Sequence, residues 1–517
     1  MSHHITLAIL VGGASRRMGT SQDKGLLSVH GEALVYRLIR KLSFLFQEIL
    51  IICSSETQKQ KYDFVLGMTP QIIVDESGSD RAAYYGLCAA LKQSSTEKVL
   101  VIPVDAQGVD PGVIKKLLLS PSFPVAYENT PFPSVWLKQH LSFVIPSTKC
   151  EESLSILDLL KKLSTTWIRP TECEDILLKM NLNTREDVRN YFGEPLCDSW
   201  GRQLNYLRLS LTESCNMACQ YCLPKGFHQS THEQMLTQTA QVILKAFRKL
   251  GFEKVRFTGG EPTLHPGLLY LISDARSLGY ETISLTTNGS FIQDLTSLIE
   301  AGLTHINISL DTLDPTTFQK LTGSHYLSKI LGLIDEALEK GLNVKLNTVL
   351  LREINLNHIE PLLHWAKDRP LTLRFIELMP IQNHTEFFNR NFVSNTEIQS
   401  LVRSLGYAPI CHPRLDRGSM EPLGPAVLWS HPEFLAKVGF ISPWSCNFCD
   451  RCNRLRVTAR AHLRLCLFGK EEIKLPAEQG DEVVSQFIRS VLHQKPLSHD
   501  LEKGDRGSLS YFKVVGG

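Results

Sequence analysis

Apolar runs of strand length alternate with stretches of helical period through about the first 195 residues. The predicted strands are residues 5–11, 48–53, 71–75 and 98–105, and the predicted helices are residues 33–46 and 85–92. Apolar strands that alternate with amphipathic helices form a parallel sheet covered on both faces. The pattern therefore predicts a doubly wound α/β domain, with its ligand site beyond the carboxyl ends of the strands.

A second series of apolar strands and helices follows from about residue 234. The predicted strands are residues 254–262 (ending in a turn), 281–289, 305–311, 343–350 and 373–378, and the predicted helices are residues 234–250 and 327–340. Successive βα units predict a barrel or partial barrel of the TIM type, whose site lies at the carboxyl ends of the strands. The polar residues Glu261, Asn288, Asp311 and Asn347 gather at those ends.

The junction between the two patterned regions, residues 190–201, carries two glycines and a proline. We expect a boundary near residue 197, with domains at 1–197 and 198–517. A net charge of +2 gives no overall attraction to nucleic acid or membranes. With neither an apolar run long enough to span a bilayer nor a leader pattern, a cytoplasmic protein is expected.

Three cysteines, Cys215, Cys219 and Cys222, have the spacing C-x3-C-x2-C. They supply one thiolate fewer than the four that fill an iron–sulfur cluster, so one iron would keep an open position. A zinc knuckle or three unrelated buried thiols are the alternatives. Zinc would need a nearby fourth ligand, and the next cysteine is Cys411. The spacing therefore favours a four-iron cluster.

A second group of cysteines lies near the end of the chain. Cys449, Cys452 and Cys466 form a C-x2-C-x13-C set, and Cys446 precedes them at x2 spacing. Cys446 could complete a closed zinc or iron–sulfur site, or it could be a bystander beside a second open iron. The spacing alone leaves both interpretations open.

A glycine turn follows the first predicted strand. Gly12 and Gly13 let backbone amides approach a phosphate, and Lys24 adds positive charge together with Arg16 and Arg17. Asp105 closes an apolar strand and suits a magnesium ion that bridges phosphates. Together these residues predict a nucleotide site at the carboxyl edge of the first sheet.

The run from Leu10 to Gly19, LVGGASRRMG, followed by Asp23-Lys-Gly25, resembles the signature of the MobA-type molybdenum cofactor nucleotidyltransferases. The resemblance covers most of residues 5–190 and implies a Rossmann-like nucleotidyltransferase. It further implies that Lys24 neutralises the triphosphate of GTP, that Asp105 binds Mg²⁺, and that a molybdopterin phosphate accepts the nucleotide. The implied nucleotide-binding residues are Leu10, Gly12, Gly13 and Asp75.

One residue and one short segment depart from the pattern of that family. Cys53 stands where the family has an asparagine, and residues 82–86 lack the leading glycine and proline of the family's segment. A non-catalytic nucleotide-binding or docking module is therefore the alternative for this domain.

The three-cysteine loop followed by a strand ending in Gly259-Gly-Glu261 resembles the radical S-adenosylmethionine enzymes. The resemblance implies that S-adenosylmethionine binds the open iron of a [4Fe-4S] cluster and yields a 5′-deoxyadenosyl radical. It also implies an electron donor such as flavodoxin or ferredoxin. The implied cofactor-binding residues are Tyr221, Gly259, Gly260, Glu261, Thr287, Ser309 and Met379.

The run FCDRCNRLR with the later CLF, and a chain ending in Gly516-Gly517, resembles the MoaA-type GTP 3′,8-cyclases over residues 205–517. The resemblance implies a second [4Fe-4S] cluster on Cys449, Cys452 and Cys466 that binds the guanine of GTP. It implies a glycine tail that reaches into the active site. A radical would remove the C3′ hydrogen, and C3′ would then attack C8 of the guanine.

The resemblance implies that seven cations grip the triphosphate. Several of them interrupt apolar strands, where a charge is costly unless it is paired, and any one alone could be a solvated or salt-bridged side chain. The seven are Arg208, Lys254, Arg256, Lys345, Arg374, Arg454 and Arg456. The leading hypothesis is a fusion of a guanylyltransferase-like domain with a radical GTP cyclase for molybdenum cofactor biosynthesis. A peptide-modifying radical enzyme with auxiliary clusters is the alternative for the second domain.

Overall fold

The computed structural model describes most of the chain. The described residues are 4–12, 23–29, 32–66, 70–75, 82–144, 155–179, 182, 184–193, 196–222, 233–380, 384–410, 425–446, 448–499 and 501. They form two compact units, one up to Tyr191 and one from Phe192 onward. The boundary that we propose near residue 197 lies close to this division.

The first unit contains the strands and helices that the apolar pattern predicts, and several more. Its strands are β1 (Ile5–Leu10), β2 (Ser28–Val29), β3 (Glu32–Ala33), β4 (Glu48–Cys53), β5 (Gln71–Val74), β6 (Lys98–Pro103), β7 (Val125–Tyr127), β8 (Ser134–Leu137) and β9 (Thr166–Ile168). Its helices are α1 (Leu34–Leu42), α2 (Glu56–Leu66), α3 (Ala82–Gln93), α4 (Pro111–Leu118), α5 (Leu141–Val144), α6 (Ile156–Lys162), α7 (Glu172–Lys179) and α8 (Arg185–Phe192).

The main sheet of the first unit has the order β5-β4-β1-β6-β8-β7-β9. The strands from β5 to β6 are parallel, whereas β8 runs antiparallel to β6 and to β7. This is the doubly wound arrangement that the sequence predicts, with β1 and β6 at the point where the strand order reverses. A crevice opens at such a point, beyond the carboxyl ends of the two strands. Gly12 and Asp105 both follow these strands.

The second unit is larger. Its strands are β10 (Leu196–Cys197), β11 (Gln203–Leu204), β12 (Tyr206–Ser210), β13 (Lys254–Thr258), β14 (Thr282–Thr287), β15 (His305–Ser309), β16 (Asn343–Leu350), β17 (Thr372–Glu377), β18 (Ala408–Pro409), β19 (Val427–Ser430), β20 (Lys437–Ile441), β21 (Arg454–Val457), β22 (His462–Arg464) and β23 (Ile473–Lys474). Its helices are α9 (Thr237–Lys249), α10 (Leu268–Ser277), α11 (Leu295–Ala301), α12 (Pro315–Thr322), α13 (Leu327–Glu339), α14 (Ile359–Ala366), α15 (Thr385–Asn391), α16 (Asn395–Ser404) and α17 (Asp481–Val491).

The large sheet has the order β18-β19-β20-β17-β16-β15-β14-β13-β12-β21-β22-β23, and the strands from β20 through to β21 are parallel. Strands β20 and β21 do not pair with each other, so the described residues form an open, partial barrel as predicted. One face of each strand is apolar and packs on the helices, as Leu207, Phe257 and Leu346 do. The other face is polar.

That polar face sets this sheet apart from an ordinary closed barrel, whose interior is filled by branched apolar side chains. Alternate positions here carry arginine, lysine, serine, threonine and asparagine, as in Arg208 on β12, Asn307 on β15 and Lys345 on β16. A polar interior leaves room and partners for a polar ligand. Among the described residues, no helix combines the length and the apolar character needed to cross a bilayer.

Candidate functional site

The first cysteine loop leaves the carboxyl end of β12 and is fixed by backbone hydrogen bonds to the end of α12. The amide of Ala218 donates to the carbonyl of Thr322 at 2.9 Å, and the amide of Gln220 donates to that of Leu321 at 3.0 Å. Helix α12 thus holds the stretch between the cysteines, so the loop does not depend on a metal alone for its shape.

The three thiols of this loop lie close enough to influence one another. Burial raises the pKa of Cys219 well above its ordinary value, and the negative charges of Cys222, Asp311 and Cys215 raise it further. An iron–sulfur cluster binds thiolates, one per iron. A cationic metal centre would offset the buried negative charge that these groups share, so the donor set fits a cluster.

The Gly-Gly-Glu loop after β13 packs directly against the chain that enters the cysteine loop. The amide of Gly260 donates to the Thr212 carbonyl at 2.7 Å, and the amide of Glu261 donates to the Ser214 carbonyl at 2.8 Å. A Cβ at Gly259 would lie 2.5 Å from the Thr212 oxygen, and one at Gly260 would overlap the Ser214 carbonyl. Two glycines are needed here because any side chain would push the two loops apart.

The carboxylate of Glu261 is buried and accepts hydrogen bonds from its own chain. One oxygen accepts from the hydroxyls of Thr263 and Thr287 at 2.6 and 2.7 Å, and the other accepts from the amide of Asn288 at 2.7 Å. Burial raises the pKa of Glu261, although these hydrogen bonds oppose the rise. The carboxylate therefore fixes the end of β14 beside the cysteine loop, a role that the sequence analysis missed.

A small amide–hydroxyl network joins the end of β14 to the first cysteine. Asn288 Nδ2 donates to Asn216 Oδ1 at 2.8 Å and lies 4.0 Å from the Cys215 sulfur. Asn216 in turn donates to the Ser290 hydroxyl at 2.8 Å, which donates back to Asn288 at 2.6 Å. Asn216 and Ser290 were not predicted, and the only local signal for them is their position beside Cys215 and Asn288.

Tyr221, predicted to bind the cofactor, lies with Asp311 on the other side of the loop. Its hydroxyl donates to Asp311 Oδ2 at 2.9 Å, and Asp311 Oδ1 accepts from the Val349 amide at 2.8 Å. Burial raises the pKa of Asp311 to about 6 even though both hydrogen bonds oppose it. Ser309 ends β15 opposite Asn347, and Met379 follows β17 half-buried.

Three arginines lie side by side on neighbouring strands of the barrel interior. Arg208 on β12 is the register partner of Arg456 on β21 and of Arg256 on β13. Like charges directly opposite each other are destabilising in a sheet. Burial and mutual repulsion lower the pKa of Arg208 well below its ordinary value, and burial together with Arg454 lowers that of Arg456 to about 10. Such a row is retained where an anion balances it.

The other predicted cations line the same interior. Burial, followed by the charges of Arg374, Arg256 and Lys254, lowers the pKa of Lys345 well below its ordinary value. Arg374 donates to Asn307 Oδ1 at 2.6 Å, and its own pKa falls to about 9 through burial and then Arg256. Five of the seven predicted cations form no ion pair with any described residue: Arg256, Lys345, Arg374, Arg454 and Arg456.

Several buried polar atoms on this interior face have no hydrogen-bond partner among the described residues. They are the Tyr206 hydroxyl, Ser210 Oγ, Thr286 Oγ1, Asn347 Oδ1, Nε of Arg256, Arg374 and Arg454, and Nη1 of Arg456. An unpaired buried polar atom costs about 1–3 kcal/mol. Their concentration on one face indicates a ligand with many hydrogen-bonding atoms.

The second cysteine set surrounds the start of β21. Burial raises the pKa of the Cys449 thiol, and the charges of Cys466 and Cys452 add to the rise. Burial also acts to raise the pKa of Cys452, but Lys495 and Arg454 outweigh it and the net pKa is lowered. Cys446 is exposed, whereas the other three are half-buried. Cys446 therefore differs from the other three in its exposure, and the three-cysteine set stays a prediction.

The chain after α17 returns to this second set, which the sequence analysis did not foresee. The buried guanidinium of Arg202 donates to the carbonyls of Cys449 and Leu497, both at 2.7 Å, and its Nε pairs with Asp198 at 2.6 Å. Arg202 therefore fastens the returning chain to the cysteine segment. No local pattern marks Arg202, because all its partners except Asp198 are distant in sequence.

In the first unit, Lys24 and Asp105 meet at the switch point of the sheet. Lys24 Nζ lies 2.7 Å from Asp105 Oδ2, so the predicted triphosphate and magnesium residues pair with each other. Gly12 packs on the next strand's end, where a Cβ would lie 3.2 Å from Ser54 Cβ. Asp75 is buried, and its amide donates to the Cys53 carbonyl at 2.8 Å. These residues share one edge of the sheet.

Two polar residues of α2 complete this edge and were not predicted. The Tyr62 hydroxyl donates to Asp23 at 2.6 Å, and Gln58 donates both to Asp23 and to the Val11 carbonyl, the latter at 3.0 Å. Leu10, by contrast, is a buried core residue that contacts Gly86.

Gly13, Gly516 and Gly517, also predicted as site residues, lie outside the described residues. No group of three or more His, Cys, Asp or Glu side chains in the described part of the chain is arranged to hold a single metal ion. The predicted magnesium ligand Asp105 thus stands in its ion pair with Lys24. The cysteines of a four-iron cluster bind separate irons, so they need not converge on one ion.

Three protein families match successive parts of the chain. The MobA-like NTP transferase domain matches residues 7–139, the Radical SAM superfamily matches residues 209–366, and Molybdenum Cofactor Synthesis C matches residues 371–501. The matches follow the two units that the structure shows.

Curated relatives cover the second unit almost end to end. A GTP 3′,8-cyclase of Photorhabdus laumondii is 38% identical over 330 residues, which is 62% of this chain and 99% of the relative. One of Synechococcus elongatus is 38% identical over 331 residues, again 62% and 99%. Among solved structures, Streptococcus suis SuiB bound to S-adenosylmethionine gives a TM-score of 0.42 at 14% identity, over 61% of this chain and 73% of that chain, which is too low to support an argument. The chain therefore belongs to the GTP 3′,8-cyclase family and carries a MobA-like NTP transferase domain ahead of the cyclase region.

Proposed function

We propose that the second unit cyclises GTP to 3′,8-cyclo-7,8-dihydro-GTP, the radical step of molybdenum cofactor biosynthesis. The family supports this reaction, and one observation carries it for this chain. That observation is the row of Arg456, Arg208 and Arg256 on adjacent strands, in which the buried Arg208 is repelled by both neighbours. A triphosphate is the ligand that balances such a row, because it brings several negative charges and many acceptor oxygens.

The arginine row lies on strands that connect the two cysteine sets. Strand β21 follows Cys452, and β12 leads into the loop that starts at Cys215. A nucleotide whose phosphates bind the row would extend its base toward one cysteine set and present its sugar to the other. We assign the guanine to the side of Cys449, Cys452 and Cys466, as the resemblance to the GTP 3′,8-cyclases implies.

The first set, Cys215, Cys219 and Cys222, would hold a [4Fe-4S] cluster, with S-adenosylmethionine beside it. When bound, these groups supply the 5′-deoxyadenosyl radical that removes the C3′ hydrogen, using one electron from a donor such as flavodoxin or ferredoxin. The protein's own contribution is to shape the cofactor pocket with Gly260 and the Glu261 network, and to hold GTP in a site that excludes water.

Anaerobic incubation of the reconstituted chain with GTP, S-adenosylmethionine and a reductant tests the proposal. We expect 5′-deoxyadenosine and a cyclised guanine nucleotide in equal amounts, and neither product when ATP replaces GTP. Absence of both products from a preparation with a full complement of iron would refute it. A peptide-modifying role is the weaker candidate, because the relatives that cover the whole unit are GTP cyclases.

For the first unit we propose transfer of GMP from GTP to a molybdopterin phosphate, with Mg²⁺. The ion pair between Lys24 and Asp105 at the switch point supports it. An arriving triphosphate would take over Lys24, and the freed Asp105 carboxylate would then accept the metal. Phosphoryl transfer of this kind needs mainly positioning and charge neutralisation.

Magnesium-dependent transfer of labelled GMP to molybdopterin is the measurement for this domain. Asp105→Asn should abolish the transfer and leave GTP cyclisation unchanged. Tight GTP binding without any transfer would instead establish a nucleotide-binding module.

A further inference from the structure

A buried lysine lies against the second cysteine set. Lys495 follows α17 and a short 3-10 turn, and its side chain reaches the start of β21. Only 3% of the residue is exposed, and its Nζ lies 3.9 Å from the sulfur of Cys452. Burying an ammonium group is costly unless its hydrogen-bonding capacity is met.

All three protons of this ammonium have an acceptor. Nζ donates to the Arg454 carbonyl at 3.2 Å, to the Leu465 carbonyl, and to the Cys452 sulfur. A lysine ammonium has three donors and no acceptor, so this set of partners matches its charged form. Arg454 lies two residues after Cys452, and Leu465 directly precedes Cys466. The two carbonyls therefore hold the ammonium group at a fixed place beside these thiols.

The backbone around Lys495 is fixed as well. The indole of Trp200 donates to the Lys495 carbonyl at 3.0 Å, and Arg202 donates to the carbonyls of Pro496 and Leu497 at 2.6 and 2.7 Å. The lysine is therefore part of a rigid segment, unlike the flexible lysines of a surface.

We propose that Lys495 is a positioning residue of the second cluster, whose fixed positive charge and N–H···S contact raise the reduction potential of that cluster. The proposal rests on the assignment of Cys449, Cys452 and Cys466 as its ligands. A reduced cluster carries one more negative charge than an oxidised one, so a nearby buried cation stabilises the reduced form. Hydrogen bonds to sulfur and net charge are known determinants of cluster potentials.

The test uses the full chain with Cys215, Cys219 and Cys222 changed to alanine, so that the second cluster alone contributes the spectroscopic signal. Iron per chain and the midpoint potential, from a titration followed by electron paramagnetic resonance, are measured before and after Lys495→Met and Lys495→Arg. Arg451→Met is the matched control, because Arg451 adjoins Cys452 in sequence but its side chain is 66% exposed.

We expect K495M to retain iron and to titrate at a lower potential, with K495R and R451M close to the parent. An unchanged potential in iron-replete K495M would overturn the proposal. If K495M loses its iron, Lys495→Gln, which keeps a hydrogen-bond donor without the charge, takes its place with the same two outcomes. Iron loss in K495M and K495Q but not in K495R would show that the charge is needed for cluster assembly. That result would overturn its proposed role in setting the reduction potential. A parent without iron would instead refute the second-cluster assignment itself.

Discussion

The two cysteine sets have the same number of thiols but opposite electrostatic surroundings. Around the first set, burial and then the negative charges of Cys222, Asp311 and Cys215 raise the pKa of Cys219. Around the second set Lys495 and Arg454 lower the pKa of Cys452 against the effect of burial. The two sets therefore differ in local charge, because negative groups act on Cys219 of the first set and cations act on Cys452 of the second.

The largest expected effect comes from removing one thiol from either set. Cys219→Ser should abolish formation of 5′-deoxyadenosine, because the cofactor loses its cluster. Cys452→Ser should lower iron per chain while S-adenosylmethionine binding persists, and cyclisation should stop. Iron analysis and product assays on the two variants check this division. Identical losses of iron and of cofactor binding in both would show that the two sets are not independent.

Asp311, beside the first cysteine set, should make the stability of the metal-free chain depend on pH. The folded-state pKa of Asp311, about 6, lies above its ordinary value of 3.8, so the folded state holds the proton more tightly. Its contribution to stability is complete below pH 3.8 and is lost as the pH rises through 6. A difference of about two pKa units corresponds to about 3 kcal/mol.

Asp311→Asn removes this titration and leaves an amide that can accept from Tyr221. The free energy of unfolding of the wild type should therefore fall by up to about 3 kcal/mol relative to D311N between pH 4 and pH 7. Denaturant titrations at several pH values measure it. Asp335→Asn is the control, since that carboxylate is 52% exposed and paired with Arg369 on the surface. A pH-independent difference between wild type and D311N would contradict the assignment.

The cationic side of the comparison predicts a loss of nucleotide affinity. Arg256→Gln removes one charge from the arginine row, and a charge-assisted hydrogen bond contributes about 1.5–3 kcal/mol, or about 10- to 100-fold in GTP binding. The nucleotide-free variant should be no less stable than the wild type, since a repulsive neighbour of Arg208 is gone. Calorimetric titration with GTP checks both points. Arg390→Gln, an exposed arginine paired with Glu353, is the control.

How far the sequence could predict this site depends on how local each feature is. The cysteine spacings and the Gly-Gly-Glu turn are short-range patterns, so they located both sets and the strands that carry them. The exposure of Cys446 could not be predicted, because spacing alone does not show whether a thiol is buried.

Long-range contacts account for most of what the sequence analysis missed. Lys495 and Arg202 reach the second set only because the chain after α17 returns to it, and nothing near them in sequence marks them. Glu261 stays a predicted cofactor-binding residue, and its hydrogen bonds to Thr287 and Asn288 at the end of the next strand were not predicted. Helix α2 went unpredicted because Gln58 and Tyr62 are the only residues it buries.

The smallest expected effect comes from a packing change at Gly260, which should affect the first cysteine set and leave the second unchanged. In Gly260→Ala the new methyl group would overlap the Ser214 carbonyl, so the cysteine loop must shift, at a cost of about 1–3 kcal/mol. Iron at the first set should become labile to chelators while iron at the second set is retained, because no part of this overlap involves Cys449, Cys452 or Cys466. Gly332→Ala, in α13 with nothing within 4 Å of the added carbon, should instead stabilise the chain by about 0.5–1 kcal/mol. Equal lability of iron at both sets in G260A would mean that the Gly-Gly-Glu loop supports the whole barrel mouth rather than the first cysteine loop.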